Sequence, residues 1–571
     1  MDNGEEEEDT SRQVTIVPGR EPSTEQDPDT TGCAQKIRRI LPDSIPQEMH
    51  KILILAGPAF LSQLMLFMIS VVSSIFCGHL GKVELNAVSL AIAVVNITGI
   101  AVGAGLAGAC DTLMSQIYGG KNLKMVGTVL QRGVLILLLF CFPCWALFVN
   151  TEPILLLFRQ DPEVSRLTQL YVSIFIPALP ASFLHQLQAK YLQNQGIIFP
   201  QVLTGFTANL FNALINYIFL YILGLGVMGS AWANTLSQYV QAVLLFLYIV
   251  WKKLYVDTWA GWSIACFEDW GSFIRLAIPS MLMEWWVFEI GIILSGILGA
   301  EDLGAQTIIY QMMTIVFLVP LGFSIAASVR VGHALGAGDI IQAKKSMVVA
   351  LLMTETCALV SSILLVSLKN VIGYVFTSDE GIVKLVSYVL PVYAGCHLFD
   401  GCMITCGGVL RGTGKQKIGA IFHAVGYYVI GLPVGISLMF VVKIGLIGFW
   451  LGILLCALLQ VITFLIFIFR IDWEKASQQA QARVKQRVRR TRDLHNKAAI
   501  YQGAALTEVT EESTPLTTTD TESDQEPEDP LESKLIEVTP LSRKQLVLRR
   551  SLALISSVAV LMIGILIRLC V

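Results

Sequence analysis

The sequence predicts an all-α integral membrane protein: two six-helix lobes related by a pseudo-twofold axis along the membrane normal, followed by a thirteenth C-terminal transmembrane helix. Three observations carry this. The 571 residues are 54% hydrophobic and only 15% charged, a membrane composition. Apolar stretches of the right length for a bilayer core of roughly 30 Å recur at about 52–77, 85–108, 127–149, 167–189, 200–223, 227–251, 272–298, 303–327, 346–368, 385–408, 416–441, 444–469 and 551–567. The first twelve also fall into two matching sets of six.

The match is carried by punctuation residues. Pro58 pairs with Pro279, Gly81 through Ala87 with Gly299 through Ala305, and Gly119-Gly120 with Gly336 and its neighbours. Phe158 through Asp161 pairs with Phe376 through Asp379, and Gly226 and Gly229 with Gly445 and Gly448. The offsets are 221, 218, 217, 218 and 219. Six spans separate the copies, so both halves run the same way through the membrane. Sites in proteins built from such repeats lie near the midplane, between the halves.

The remaining segments follow in order. Residues 1–48 open with Glu5 to Asp9 and have no apolar core for a signal peptide; they read as a disordered cytoplasmic tail. Residues 49–251 form the N-lobe, 252–271 an inter-lobe loop and 272–470 the C-lobe. Residues 471–550 read as a disordered, charged cytoplasmic linker, with a basic run from Arg483 to Arg492 placed to touch anionic lipid. The last span, 551–567, leaves 568–571 outside. Loops on the N-terminal side carry seventeen Lys and Arg against six on the other, which puts the N-terminus in the cytoplasm and the C-terminus outside. Twelve cysteines, most in apolar spans, act as small hydrophobes, with neither metal-site spacing nor a disulfide framework. Asn96 opens a glycosylation sequon in mid-span, where it stays unused.

Function centres on the seventh span. Leu276 to Leu298 contains Glu284, Trp285, Trp286, Phe288 and Glu289. A charge at the bilayer centre costs at least ~2.5 kcal/mol, so such carboxylates face a bundle interior or a wet cavity; the alternative for Glu284 is a place near the headgroups. The two Glu stand about 140° apart around the helix and ~7.5 Å along it. Trp285, Phe288 and Tyr310 are either cation-facing aromatics or ordinary packing groups. Asp111 and Glu355 are given structural or boundary roles. Pro58 to Leu85 spans 27 residues and Pro279 to Leu303 only 24, so the second half is short by about one helical turn where the carboxylates lie.

Leu55-Ala-Gly-Pro-Ala-Phe60, Cys77-Gly-His-Leu-Gly-Lys-Val-Glu84, Cys110-Asp-Thr-Leu-Met-Ser-Gln116, Leu155 to Pro162, Pro279-Ser-Met-Leu-Met-Glu-Trp-Trp286 and Gly407-Gly-Val-Leu-Arg-Gly-Thr-Gly-Lys415 together resemble the multidrug and toxin extrusion (MATE) family. The resemblance covers about residues 50–475 and the last thirty, and is to the vertebrate branch, which has a thirteenth span. It implies a proton-coupled antiporter, not an enzyme, that exports tetraethylammonium-like organic cations and drugs by alternating access between the lobes. It implies the proton as coupling ion, with no other cofactor and no metal, and a plasma-membrane location that is apical in epithelia. No nucleic-acid partner is implied. Carried over by motif, the proton- and cation-binding positions are Glu284, Glu289, Gln311 and Asp400. Weaker substrate-path positions are Trp285, Tyr310, His397, Gln63, Asn96, Cys77 and Cys141. The sequence departs from the pattern where Gln311 replaces an ionisable Glu, where Asp400 replaces a longer Glu, and in the three-residue shortfall.

Two other readings stand beside this one. A lipid-linked precursor flippase shares the two-lobe architecture but calls for a cationic central cavity, whereas the central spans here are acidic. A membrane enzyme calls for a His/Asp or Ser/His cluster, yet His79, His185, His333, His397 and His423 are scattered through separate segments. The shortfall gives a direct test. Removing three residues turns a helix by about 60° and shortens it by about 4.5 Å, so inserting three apolar residues between Met283 and Glu284 is expected to raise proton-driven tetraethylammonium flux per surface molecule. Unchanged or lower flux would make the shortfall a harmless variation.

Overall fold

The computed structural model describes residues 45–484, apart from 79, 159, 282–285 and 378, and residues 543–570. Among the described residues eleven helices are long and apolar enough to cross a membrane, or twelve when the bent pair Pro162–Phe175 and Ala178–Gln193 counts as one. The expected seventh span falls on Trp270–Met281 and Trp286–Leu298, and the shortfall on residues 282–285, outside the described ones. Several helices outrun their apolar stretches: Ile45–Gly78, Ala300–Ala337 and Glu380–Thr413 project beyond a bilayer core at one end or both.

The repeat is written into the backbone. Ile218–Ile222 and Ser437–Val441 are both single π-helical stretches, 219 residues apart. Left-handed φ angles recur as pairs at 217 to 219 residues: Lys121 with Gly338, Gly196 with Gly414, Gly224 with Lys443 and Gly226 with Gly445. Asp161 and Asp379 each cap a helix by accepting from the backbone N–H groups two and three residues on, which satisfies donors the helix leaves open. The lobes differ where prolines differ. Pro177 cannot continue the hydrogen-bond ladder, and there the expected span at 167–189 bends by 59°. The positions that match Pro177 and Pro180 are Gly395 and Leu398, and Glu380–Thr413 runs on as one helix.

Polar links secure the connecting segments. The 252–271 loop lies along the Leu123–Val149 helix. There Lys124 donates to the Val256 carbonyl at 2.7 Å, Gln131 to Gly261 at 2.6 Å and Arg132 to Ala265 at 3.1 Å. The last helix, Arg543–Cys570, packs on that same helix. Asn150 donates to the Gly564 carbonyl at 2.8 Å, Arg568 pairs with Glu152 at 2.6 Å, and Arg550 sits 4.2 Å above the Trp270 ring. Gly564 meets Ala146, the small-on-small contact by which membrane helices approach closely. Residues 473–484, expected within the disordered linker, are helical, with Trp473, Ala476, Ala480 and Val484 buried.

The lobes meet at the end that carries Ile45. Gly119, at the end of Ala101–Gly119, lies against the His333 backbone, and Gly336, at the end of Ala300–Ala337, lies against the Gln116 backbone. These residues are repeat partners, Gly119 of Gly336 and Gln116 of His333, so each contact is the image of the other and the pseudo-twofold axis runs between the two helices. Ion pairs flank the seam. Arg330 grips the buried Glu48 through Nη2 and Nε at 2.6–3.0 Å, and Ser346 donates to Glu48 at 2.6 Å. Asp111 accepts from Lys190 at 3.0 Å within its lobe and faces Arg411 of the other lobe at 4.0 Å. His333 Nε2 lies 2.7 Å from the Asn194 carbonyl. A Cβ on Gly336 collides with backbone, whereas one on Gly57 meets open space. Gly336→Ala is therefore expected to destabilise this closed form by about 1–3 kcal/mol, the usual cost of overpacking, and Gly57→Ala not at all. Thermal midpoints in detergent measure both; equal midpoints would contradict a tight seam.

Candidate cation site

Five C-lobe elements contribute to one aromatic, weakly polar region. The Trp286–Leu298 helix supplies Phe288, Ala300–Ala337 supplies Gln306, Glu380–Thr413 supplies Tyr393, His397 and Asp400, and the helices after it supply Tyr427 and Trp450. Trp450 is the hub. Its ring lies 6.4 Å from Phe288 and 5.2 Å from Tyr393, and its Nε1 donates to Gln306 at 2.9 Å. Phe288 meets Tyr427 edge-on at 6.0 Å. Tyr427 stands in the π-helical stretch Val425–Gly431. Such bulges shift the register of side chains beyond them and are frequent at functional sites.

Asp400 is the charged residue of this region among the described side chains. It is 3% exposed, forms no ion pair among the described residues, and its Oδ1 has no hydrogen-bond partner. It lies within electrostatic reach of Tyr393, Cys396, Tyr427 and Cys456, none of them cationic. One turn earlier, His397 is buried and hydrogen-bonded through Nε2 to Ser361 Oγ at 2.8 Å, with Nδ1 unpartnered. A buried carboxylate without a partner is costly, and so it marks a place where a cation or a proton is wanted.

The other expected positions are distributed as follows. Glu284 and Trp285 lie outside the described residues. Glu289 falls in the Trp286–Leu298 helix, with its side chain outside what is described. Tyr310 and Gln311 are half-buried on Ala300–Ala337, Tyr310 packing on the same C-lobe core as Phe288. In the N-lobe, Asn96 is exposed and lines a small cleft of about 30 Å³ with Ser70, Tyr171, Asn234 and Gln238. Gln63 is half-buried on Ile45–Gly78. Cys77 and Cys141 are both packed into the N-lobe core. Among the described residues no group of three or more His, Cys, Asp and Glu could hold a metal ion.

Sequence reasoning missed Tyr427, Trp450, Ser361 and the Asn234 cleft. Trp450 closely follows the Gly445–Gly448 repeat marker, which was a usable signal; nothing local marks Ser361 or Asn234. Glu355, given a structural role, sits half-buried in the Ile340–Ser367 helix with Oε1 buried and unpartnered, beside Gly401.

The MatE family profile matches this chain twice, over residues 58–218 and 277–436, at the offset of the internal repeat. The chain belongs to the MatE family. Multidrug and toxin extrusion protein 1 of Xenopus tropicalis is 62% identical over 96% of both chains, and that of Homo sapiens is 56% identical over 91% of this chain and 93% of its own. Among solved structures, the eukaryotic MATE transporter AtDTX14 matches at 29% identity with a TM-score of 0.75, covering 77% of this chain and all of that one. An outward-facing MATE transporter at 18% identity, with a TM-score of 0.65, covers 77% of this chain and 97% of its own and shares the fold. The MATE fold thus accounts for the two lobes, and Asp400 itself lies within the second matched stretch.

Proposed function

We propose that this MATE chain is a proton-coupled antiporter that expels organic cations across the plasma membrane, with intramembrane carboxylates of the C-lobe exchanging proton for cation. The observation that carries this reading is Asp400: a carboxylate 3% exposed, without an ion pair among the described residues, and within electrostatic reach of Tyr393 and Tyr427. Burial favours the neutral form of a carboxyl, and a nearby cation favours the anionic form. Proton and cation then compete for one negative charge, and each drives out the other. Aromatic faces such as those of Tyr393, Tyr427 and Trp450 add roughly 0.5–2 kcal/mol each for an organic cation, with little demand on its shape, which suits a broad substrate range. Glu289 and Glu284 supply the further charge on the seventh span. Gln311 cannot ionise and serves only as a hydrogen-bonding group.

The Lys/Arg-rich end of the bundle is the cytoplasmic one under the positive-inside rule. The seam of Gly119 and Gly336 lies at that end, so this conformation is closed to the cytoplasm. An anionic lipid-linked pyrophosphate would meet Asp400 as a like charge, which weighs against a flippase. Asp400→Asn and Glu289→Gln keep size and remove the charge. Each is expected to lower pH-driven tetraethylammonium exchange in proteoliposomes roughly tenfold or more, since even ~1.4 kcal/mol of lost ion pairing is a factor of ten, while surface expression persists. Near-normal exchange by either expressed variant would remove that residue from the mechanism.

A further inference from the structure

The helix over residues 473–484 follows the last span of the C-lobe and is absent from the transport scheme above. Its start is fixed by Asp472, whose side chain accepts from the Lys475 N–H at 2.9 Å. Trp473, Ala476, Ser477, Ala480 and Val484 are buried, the spacing of one apolar stripe along a helix. The two ends of that stripe pack into different cores. Trp473 and Ala480 are part of a core made mostly of C-lobe residues, Phe464, Ile468 and Leu335 among them, together with Ile52, Ala59 and Ile198 of the N-lobe. Val484 is part of the core that holds Leu113 and Ile117 of the N-lobe, and lies against Gly120.

Arg483 completes the bridge. Its Nη1 donates to Gln116 Oε1 at 2.8 Å, and the same Gln116 donates through Nε2 to the Gly412 carbonyl of the C-lobe at 2.8 Å. Arg483 also occupies the space a side chain at Gly414 would need, and Gln481 fills that beside Gly338. Burial pulls the Arg483 guanidinium below its ordinary range, but an arginine stays charged in proteins. Charged hydrogen bonds are the stronger kind. Gln116 is one of the residues on the pseudo-twofold seam, so Arg483 clamps the contact that must separate if this end is to open.

We propose that helix 473–484 is a latch on the closed seam, anchored in the C-lobe by Trp473 and Ala480 and holding the N-lobe through Arg483 and Val484. The lobes part at this end only after Arg483 and Val484 let go. The latch rests on the reading that the lobes alternate, but not on which cation or coupling ion is carried.

The test is a cysteine pair, Gly120→Cys with Val484→Cys, in a background with Cys33 and Cys570 replaced by Ser. Gly120 and Val484 touch, as a disulfide requires. Mild oxidation is expected to join them, to cut tetraethylammonium exchange roughly tenfold or more, and to leave either single variant unaffected; reductant restores exchange. Adding Arg483→Ala to the Val484→Cys variant is expected to speed labelling of the introduced thiol by a bulky maleimide in detergent by roughly tenfold, the loss of one charged hydrogen bond. Absence of the disulfide, full exchange by the oxidised pair, or an unchanged labelling rate would each overturn the latch. Disulfide formation and labelling are read without transport, so the latch can fail while the antiport reading stands, and the reverse.

Discussion

The rest of the structure depends on one reciprocal contact, Gly119 on His333 and Gly336 on Gln116. Two helix ends approach so closely there that neither tolerates a β-carbon, and the contact is its own image under the internal symmetry. Everything near it is arranged to keep it closed. Glu48 and Arg330 form a buried bidentate pair on one flank, and Asp111 faces Lys190 and Arg411 on the other. Buried ion pairs contribute modest net stability but are costly to break one-sidedly. They suit a seam that must be either fully closed or fully open. The inter-lobe hydrogen bonds from Gln116, Thr112, His333 and Arg483 lie at this same end. The lobes are thus joined at one end of the bundle, while the Asp400 region lies farther along the C-lobe.

Much of this was legible in the sequence because membrane helices and repeats leave strong marks. A long apolar run has few alternatives in a bilayer, and turn glycines recur wherever a backbone needs a left-handed φ. Gly196 and Gly414 share a φ of 78° at an offset of 218. The bend at Pro177 was less legible: Pro58, Pro320 and Pro391 sit inside unbroken helices, so a proline alone does not say whether a span breaks. The helix over 473–484 escaped because its charged surroundings resemble a linker, and only tertiary packing of Trp473 and Ala480 orders it. Arg483, read from sequence as the start of a lipid-facing basic run, is instead bonded to Gln116.

At the site, single residues were legible and their company was not. Glu284 and Glu289 stood out as carboxylates within an apolar span, whereas Asp400 was reached only through the family motif. Of the two tyrosines within electrostatic reach of Asp400, Tyr393 shares its helix, while Tyr427 is set by a π-helical stretch that no local pattern announces. Glu355 shows the limit from the other side. Mid-span on its helix, it has a buried unpartnered oxygen beside Gly401, one residue beyond Asp400, although local pattern alone assigned it only a structural role.

The central claim is that cation and proton compete for one intramembrane negative charge. The most direct measurement is proton release on binding. Purified protein in weakly buffered detergent is mixed with tetraethylammonium while pH and bound cation are followed across the range in which the carboxyls titrate. The account predicts release approaching about one proton per cation at the acid end, falling toward zero as the site loses its proton at higher pH, with cation affinity rising in step as linkage requires. Saturable cation binding with no proton release, and with an affinity indifferent to pH, would contradict it.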